Sequence, residues 1–430
     1  MIFPSSKAYP FAVEESYGGP DAFKRFVNAC HQKGIAVLLD VVYNHLGPMD
    51  LPLWQFDGWS ENGLGGTYFY NDGRAETPWA HTRPNYGVEA VRRYLIDSAL
   101  YWLNTMHCDG LRVDGVSFIR LWGGTETNRS SATFNPEGEL FLKELSAAVS
   151  QTGKILIAED LQGNISLTEP LEANGLGFHS QWDGLFHWKV LNSLKRSDEG
   201  RKMSDLKDAI LADLGGGLRR TVYVESHDEA GRFRLAVAIS GRRNSWVGTR
   251  LAAMGTALVM LSPGIPLLFQ GQEFALQDPF SAHHPMDWLK KTTHQGTLKL
   301  HRDLIGLRTT NQGLLGGDVN VSADEENKVL TIHRSSAGGS VFAIFNFRRQ
   351  ALANYPADFP DFEEWKLVIN TADAQYYNSA TVFQNDDRDT KRPDSKLLQA
   401  ADAQGMWLGD RMLKRGMMWC VLPQSHFMSW

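Results

Sequence analysis

Ile35-Ala36-Val37-Leu38-Leu39-Asp40-Val41-Val42-Tyr43-Asn44-His45 decides the fold class of this 430-residue chain. From Ile35 to Val42 the run is almost continuously apolar, with Asp40 its one charge. So short a run, without polar alternation, is typical of a strand buried on both faces, and such strands belong to parallel sheets covered by helices. The preceding segment agrees. Asp21 to Lys33 spaces Phe23, Phe26, Val27 and Cys30 along one helix face, and Gly34 stops it.

The alternation continues to about residue 310. Val88 to Met106 places Val88, Val91, Leu95, Ala99, Trp102, Leu103 and Met106 at helical spacing. Further helices are predicted at Glu137–Val149, Trp246–Leu261 and Thr297–Leu307. Strands are predicted at Gly110–Val113, Lys154–Ala158, Ser180–Trp182, Thr221–Glu225 and Pro266–Phe269. Strand–helix alternation predicts an α/β fold of the TIM (β/α)8 type, with six strands where eight are normal. After Asn311 the texture changes. Asn311–Asp318 is Gly-rich and reads as a linker. Lys328–Arg334 and Ser340–Phe347 read as a hairpin, and Met417–Leu422 as a further strand. The expected division is therefore a partial barrel over 1–310 and a C-terminal antiparallel β domain over 311–430. Asp358–Asp410 is too mixed to assign.

Composition narrows the function. A formal net charge of −6 argues against a nucleic-acid binder, which carries a basic surplus. Cys30, Cys108 and Cys420 are far apart, giving neither a disulfide framework nor zinc spacing. With no secretory pattern in Met1–Val13, a reducing, cytoplasmic location is expected. Leu251–Phe269 carries no charge, yet Pro263, Gly264 and Pro266 interrupt it. It reads as a buried helix, a turn and a strand, with no membrane insertion.

Four motifs set polar residues at strand ends, where parallel barrels place their chemistry. They are Asp40-Val41-Val42-Tyr43-Asn44-His45, Gly110-Leu111-Arg112-Val113-Asp114, Ile157-Ala158-Glu159-Asp160 and Glu225-Ser226-His227-Asp228-Glu229. Each alone is weak, because an acidic residue at a strand end is commonly an N-cap or an ion-pair partner. Together they suit acetal cleavage. Retaining glycosidases hold two carboxyl groups about 5–5.5 Å apart, and neighbouring strands lie about 4.7–4.9 Å apart. Asp114 and Glu159, on adjacent predicted strands, fit that requirement.

In this order and on these strands, the motifs resemble the four signature regions of glycoside hydrolase family 13, the α-amylase family. The resemblance covers roughly the first three quarters of the chain. It implies that Asp114 is the nucleophile, Glu159 the acid/base and Asp228 the third catalytic carboxylate, gripping sugar hydroxyls. Arg112, two residues from Asp114 along the strand, would keep it ionised; a scaffold ion pair is the alternative. For Asp228 the alternative is a helix N-cap. Asp160 competes with Glu159 for the acid, and strand alternation separates the two. His45 and His227 match the family's sugar-binding histidines, and Asp40 is expected to orient its neighbours. Asn44 matches a position that binds calcium in many amylases. No further calcium constellation is visible, so neither a required metal nor a cofactor is predicted.

The long segment 46–87 after the first motif holds Trp54, Phe56, Trp59, Tyr68, Phe69, Tyr70, Trp79 and Tyr86. Some are expected to pack within the loop and one or two to touch sugar. Ser226-His227-Asp228-Glu229 and the later His294-Gln295-Gly296 and Arg302-Asp303-Leu304 resemble glycogen branching enzymes. Val91-Arg92-Arg93-Tyr94 and Ala99–Leu103 also look like maltooligosyltrehalose trehalohydrolases. The expected substrate is an α-glucan or maltooligosaccharide. Branching, by transfer of a cut α-1,4 segment to a 6-hydroxyl, is the first reading. Hydrolysis and a non-catalytic carbohydrate-binding relative are the alternatives. Only Met1–Pro20 precedes the first helix, so the family's first two strands are expected to be absent. A missing N-terminal segment, a partner chain completing the barrel, or a degenerate relative would each account for that.

Overall fold

The computed structural model describes residues 9–47, 49, 51–124, 131–348, 351–352, 355–360, 365–376 and 417–423. Two compact units divide them: Met1–Gly184 with Leu218–Arg220, and Leu185–Gly217 with Thr221–Trp430.

Four short parallel strands organise the first unit. They are β1 (Leu38–Val42), β2 (Gly110–Asp114), β3 (Ile155–Ala158) and β4 (Ser180–Trp182), paired in chain order. Val42 pairs with Asp114 across β1–β2, and Val113 with Ala158 across β2–β3. This register brings the polar residues that end each strand to the same edge of the sheet. The strand interiors are apolar: Leu39, Val41, Leu111, Val113, Leu156 and Ala158 are all buried.

Helices cover these strands. Helix α1 (Gly19–His31) starts from Gly18 in the left-handed region, with Pro20 in its first turn. It buries Phe23 and Val27, whereas Phe26 is 45% exposed. At 3.6 residues per turn Phe26 stands roughly 100° from Val27, on the flank of the apolar stripe. The expected helix over Val88–Met106 is α2 (Glu89–Leu100), continued by a wider π turn at Tyr101–Thr105. Its predicted core residues Val91, Leu95, Ala99, Trp102, Leu103 and Met106 are all buried. Helix α3 (Pro136–Ser150) adds Phe141, Leu142, Leu145 and Val149 to the same core.

The aromatic loop is held by one buried arginine. Arg83 donates from Nε to Arg74 O (2.5 Å), from Nη2 to Glu76 O (2.8 Å) and from Nη1 to Leu121 O (3.3 Å).

The second unit has a separate core. Its parallel pair, β5 (Arg220–Val222) and β6 (Ile265–Pro266), is shorter than the sequence suggested. Pro266 has no N–H to extend the ladder. Helices α4 (Gly184–Lys195) and α5 (Met203–Leu211) were not predicted. Helix α6 (Trp246–Leu261) is buried on nearly every side and capped by Ser245, whose hydroxyl accepts from Gly248 N (3.0 Å). Arg308, on α7 (Gln295–Thr310), donates to the carbonyl of Met260 in the last turn of α6 and to those of Ser262 and Gly264 just beyond it. These bonds stop the apolar segment as a buried helix and turn. Among the described residues no helix is long and apolar enough to cross a membrane.

The C-terminal strands form an antiparallel sheet in the order β10-β11-β9-β8-β7. They are β7 (Asp318–Asp324), β8 (Val329–Ser336), β9 (Gly339–Asn346), β10 (Trp365–Asn370) and β11 (Met417–Pro423). The predicted hairpin is β8–β9, closed by Ser336 pairing with Gly339. Within the Asn311–Asp318 stretch, Gln312–Leu315 forms one turn of helix, and Asp318 opens β7. Leu258 of α6 shares a core with Leu330 and Ala343 of the sheet, and Arg334 donates to Leu261 O (3.0 Å). Most of Asp358–Asp410 lies outside the described residues.

Candidate active site

In the first unit a single guanidinium organises three of the predicted carboxylates. Arg112 Nη1 donates to both oxygens of Asp40 (2.7 and 2.9 Å) and to Asp114 Oδ1 (2.7 Å). Its Nη2 lies 3.6 Å from Glu159 Oε2. The plane of the guanidinium rests over the Trp182 ring, 4.4 Å from the centroid. Burial works against the charge on Arg112, but Asp40, Glu159 and Asp114 outweigh it and hold the group protonated beyond its ordinary range. The scaffold role and the charge-setting role are therefore the same contact.

The β1–β2 pairing fixes the next layer. Asn44 Nδ2 donates to Asp114 O (2.8 Å) and to Asp114 Oδ2 (2.9 Å). Its carbonyl oxygen pairs with Nδ1 of His45. Both ends of Asn44 thus contact protein groups. Among the described residues no group of three or more His, Cys, Asp or Glu side chains is placed to hold a metal ion. The His45 ring stacks on Trp79, centroids 4.7 Å apart and planes 15° apart, and Trp79 is 43% exposed. Phe69, Tyr70 and Tyr86 of the same loop are buried, so they build the loop, while Phe56, Trp59 and Trp79 reach solvent.

Glu159 and Asp160 separate cleanly. Glu159 Oε2 accepts from Gly115 N (2.6 Å), beside Asp114. Asp160 turns the other way into a bidentate pair with Arg120 (2.7 and 2.8 Å). Gly115 was not singled out from the sequence. Its φ of +52° lies in the left-handed region, and an added Cβ would come within 2.4 Å of Asn44 Nδ2. A glycine directly after the acidic strand end was the available signal.

His227 and Asp228 lie in the second unit, on the turn after β5. The N-cap there is Ser226, not Asp228. Ser226 Oγ accepts from Asp228 N (3.2 Å), and Glu229 returns to the Ser226 amide (3.1 Å), forming a capping box. The Asp228 side chain is consequently 63% exposed, with Oδ1 3.3 Å from His227 Nε2. Glu225 turns inward: its Oε1 accepts from Leu235 N (2.6 Å) and lies 3.2 Å from Arg234 Nε. Burial pushes the Glu225 carboxyl up to about 7, against the pull of Arg234. In the sequence Glu225 and Glu229 stand out only as the flanks of the fourth motif.

Acidic groups thus gather around one buried arginine at the ends of parallel strands. Comparison with known proteins gives the family. The model of the alpha amylase catalytic domain matches residues 8–51 and 54–312, and that of the alpha amylase C-terminal all-beta domain matches 320–408. The chain belongs to glycoside hydrolase family 13, the α-amylase family. It is 30% identical to the 1,4-alpha-glucan branching enzyme GlgB of Rhizobium meliloti over 392 residues, covering 86% of this chain and 52% of that protein. The GlgB of Mycobacterium bovis is likewise 30% identical, over 93% of this chain and 57% of the relative. The chain therefore spans about half the length of these curated relatives. An Anoxybacillus alpha-amylase structure superposes with a TM-score of 0.66 at 17% identity, covering 97% of this chain and 82% of that one. It shows the same fold, with parallel strands under helices and a C-terminal antiparallel sheet.

Proposed function

We propose that this chain acts on α-1,4-glucans with retention of configuration, and that it transfers a cut segment to a 6-hydroxyl, making an α-1,6 branch. In this reading residues 1–310 carry the chemistry and 311–430 form the β domain. Asp114 attacks the anomeric carbon and forms the glycosyl-enzyme. Glu159 protonates the leaving oxygen and then activates the acceptor hydroxyl. The Gly115 amide holds Oε2 of Glu159, so the proton is assigned to Oε1. Asp228 and His227 are assigned to gripping sugar hydroxyls as the ring distorts toward the oxocarbenium-like state, and His45 is assigned separately to sugar binding.

One observation carries the reading. Asp114 and Glu159 follow paired strands and share Arg112, which contacts Asp114 at 2.7 Å and Glu159 at 3.6 Å. A nucleophile that must be ionised thus has the full ion pair, and the acid has the longer contact. The branching preference is supported by the GlgB relatives.

Incubation with amylose tests it, following iodine colour, reducing ends and α-1,6 links. Falling colour with new α-1,6 links and no added reducing ends is expected. Rising reducing ends would replace branching by hydrolysis. An Asp114→Asn variant is expected to lose whichever activity appears, and full activity in that variant overturns the assignment of the nucleophile.

A further inference from the structure

A chain of contacts in the second unit ends on the Asp228 backbone. His187, on α4, is fully buried. Its ring lies flat on Tyr223, centroids 4.6 Å apart and planes 15° apart, and meets Trp188 edge-on. Its Nε2 is 3.2 Å from Oε1 of Glu229. The other oxygen of Glu229 accepts from Ser226 N (3.1 Å) and from Ser226 Oγ (2.5 Å). Ser226 has one hydroxyl proton, and Glu229 takes it. The Oγ lone pair is then left to accept from Asp228 N (3.2 Å). The direction of every bond in the turn follows from Glu229 being ionised and correctly placed.

Resting on the reading of Asp228 as a sugar-gripping carboxylate, we propose that His187 is a positioning residue, which by holding Glu229 sets the Ser226–Asp228 turn and so the presentation of His227 and Asp228. The choice of residue supports this. A buried helix position that needs only volume takes a leucine or a phenylalanine, and burying imidazole nitrogens costs free energy unless a partner offsets it. Glu229 is the partner within ion-pair range of Nε2, at 3.2 Å, while Nδ1 has no hydrogen-bond partner among the described residues. Burial alone would push its carboxyl up, but His187 and Ser226 together bring it down to about 2. Ser226 supplies the cap and Glu229 the return bond, while His187 reaches Glu229 from a separate helix, tying the turn to α4.

Two variants separate positioning from packing. His187→Gln keeps an N–H donor where Nε2 sits, and His187→Leu keeps volume without a donor. On amylose, His187→Leu is expected to lower kcat about 10- to 100-fold with KM changed less than about threefold, since a small misplacement costs turnover before binding. His187→Gln is expected to recover most of that loss. Hydrogen exchange of the peptide spanning 225–232 gives a readout independent of turnover: faster in His187→Leu, and as in the unsubstituted protein in His187→Gln. Equal behaviour of the two variants in both measurements, or a loss confined to KM, overturns the proposal. If the unsubstituted chain is inert on amylose, the glucan reading fails. The exchange comparison then still decides, with unchanged protection in His187→Leu counting against positioning. Should His187→Leu not fold, His187→Asn takes its place. Its amide sits at the Nδ1 position, and it is expected to lose the protection that His187→Gln keeps.

Discussion

Replacing Glu225 by Gln should abolish a pH dependence of stability that the structure builds into the base of the fourth motif. Glu225 is 2% exposed, and its charged form faces Arg234 on one side and the negative Glu229 and Glu273 on the other. Burial dominates and raises the carboxyl from its ordinary 4.5 to about 7. The folded state therefore holds this proton to a higher pH than the unfolded chain does. The stability contributed by the group is full below pH 4.5 and is lost as pH rises through about 7. That rise corresponds to about 3 kcal/mol across the window. A glutamine accepts the Leu235 amide equally well but does not titrate. The stability difference between the unsubstituted protein and Glu225→Gln, measured by urea unfolding from pH 5 to pH 8, should shrink steadily in favour of the variant. A difference that stays flat, or that grows with pH, would show that the Arg234 attraction outweighs burial, and the reasoning fails.

Removing the guanidinium that three carboxylates share should be the costliest single change in the first unit. Arg112→Met is expected to lose about 3–5 kcal/mol in denaturant unfolding, the usual cost of orphaning buried charge. Arg112→Lys should restore only part of this, because one ammonium cannot span Asp40 and Glu159 at once. The two adjacent acids should separate by measurement. Asp160→Asn unpairs Arg120 and should cost about 3–5 kcal/mol of stability while the folded protein still turns over glucan. Glu159→Gln should keep its melting temperature and lose turnover. The opposite pattern would move the acid role to Asp160.

Much of this was legible in the sequence because parallel strands leave a simple trace. Buried on both faces, they read as apolar runs: β2 to β4 appear within one residue of their expected ends, and β1 begins three residues later than expected, at Leu38. The pairing of Asp114 with Arg112 followed from two-residue alternation along one strand. What sequence missed has physical causes. Strand β7 is an edge strand whose one fully buried side chain is Val321, so it lacks the apolar run that marked the others. Arg83, Arg308 and Arg334 look like surface charges in sequence, yet each is buried donating to backbone carbonyls. No local pattern announces which carbonyls a distant turn will leave unsatisfied. Gly115 and His187 were passed over for the same reason: their roles depend on Asn44 and Glu229, neighbours in space and not in sequence.

The charge count at the Arg112 site explains why this arrangement suits the proposed chemistry better than a simple salt bridge does. Asp40, Asp114 and Glu159 meet one guanidinium. With Glu159 protonated, as its proposed role requires, the two aspartates share the single positive charge of Arg112. A neutral glucan gains little from that sharing. Positive charge developing on the anomeric carbon gains much, because the site is largely buried and field strength rises as water is excluded. Asp40 is the residue that makes the sharing possible. It occupies Arg112 Nη1 at 2.7 Å, so Asp114, also at 2.7 Å, shares that nitrogen and does not hold it alone. An arginine serving Asp114 alone would stabilise the resting carboxylate more and the transition state less. In the proposed mechanism Asp40 acts through Arg112, by the charge it takes from the guanidinium.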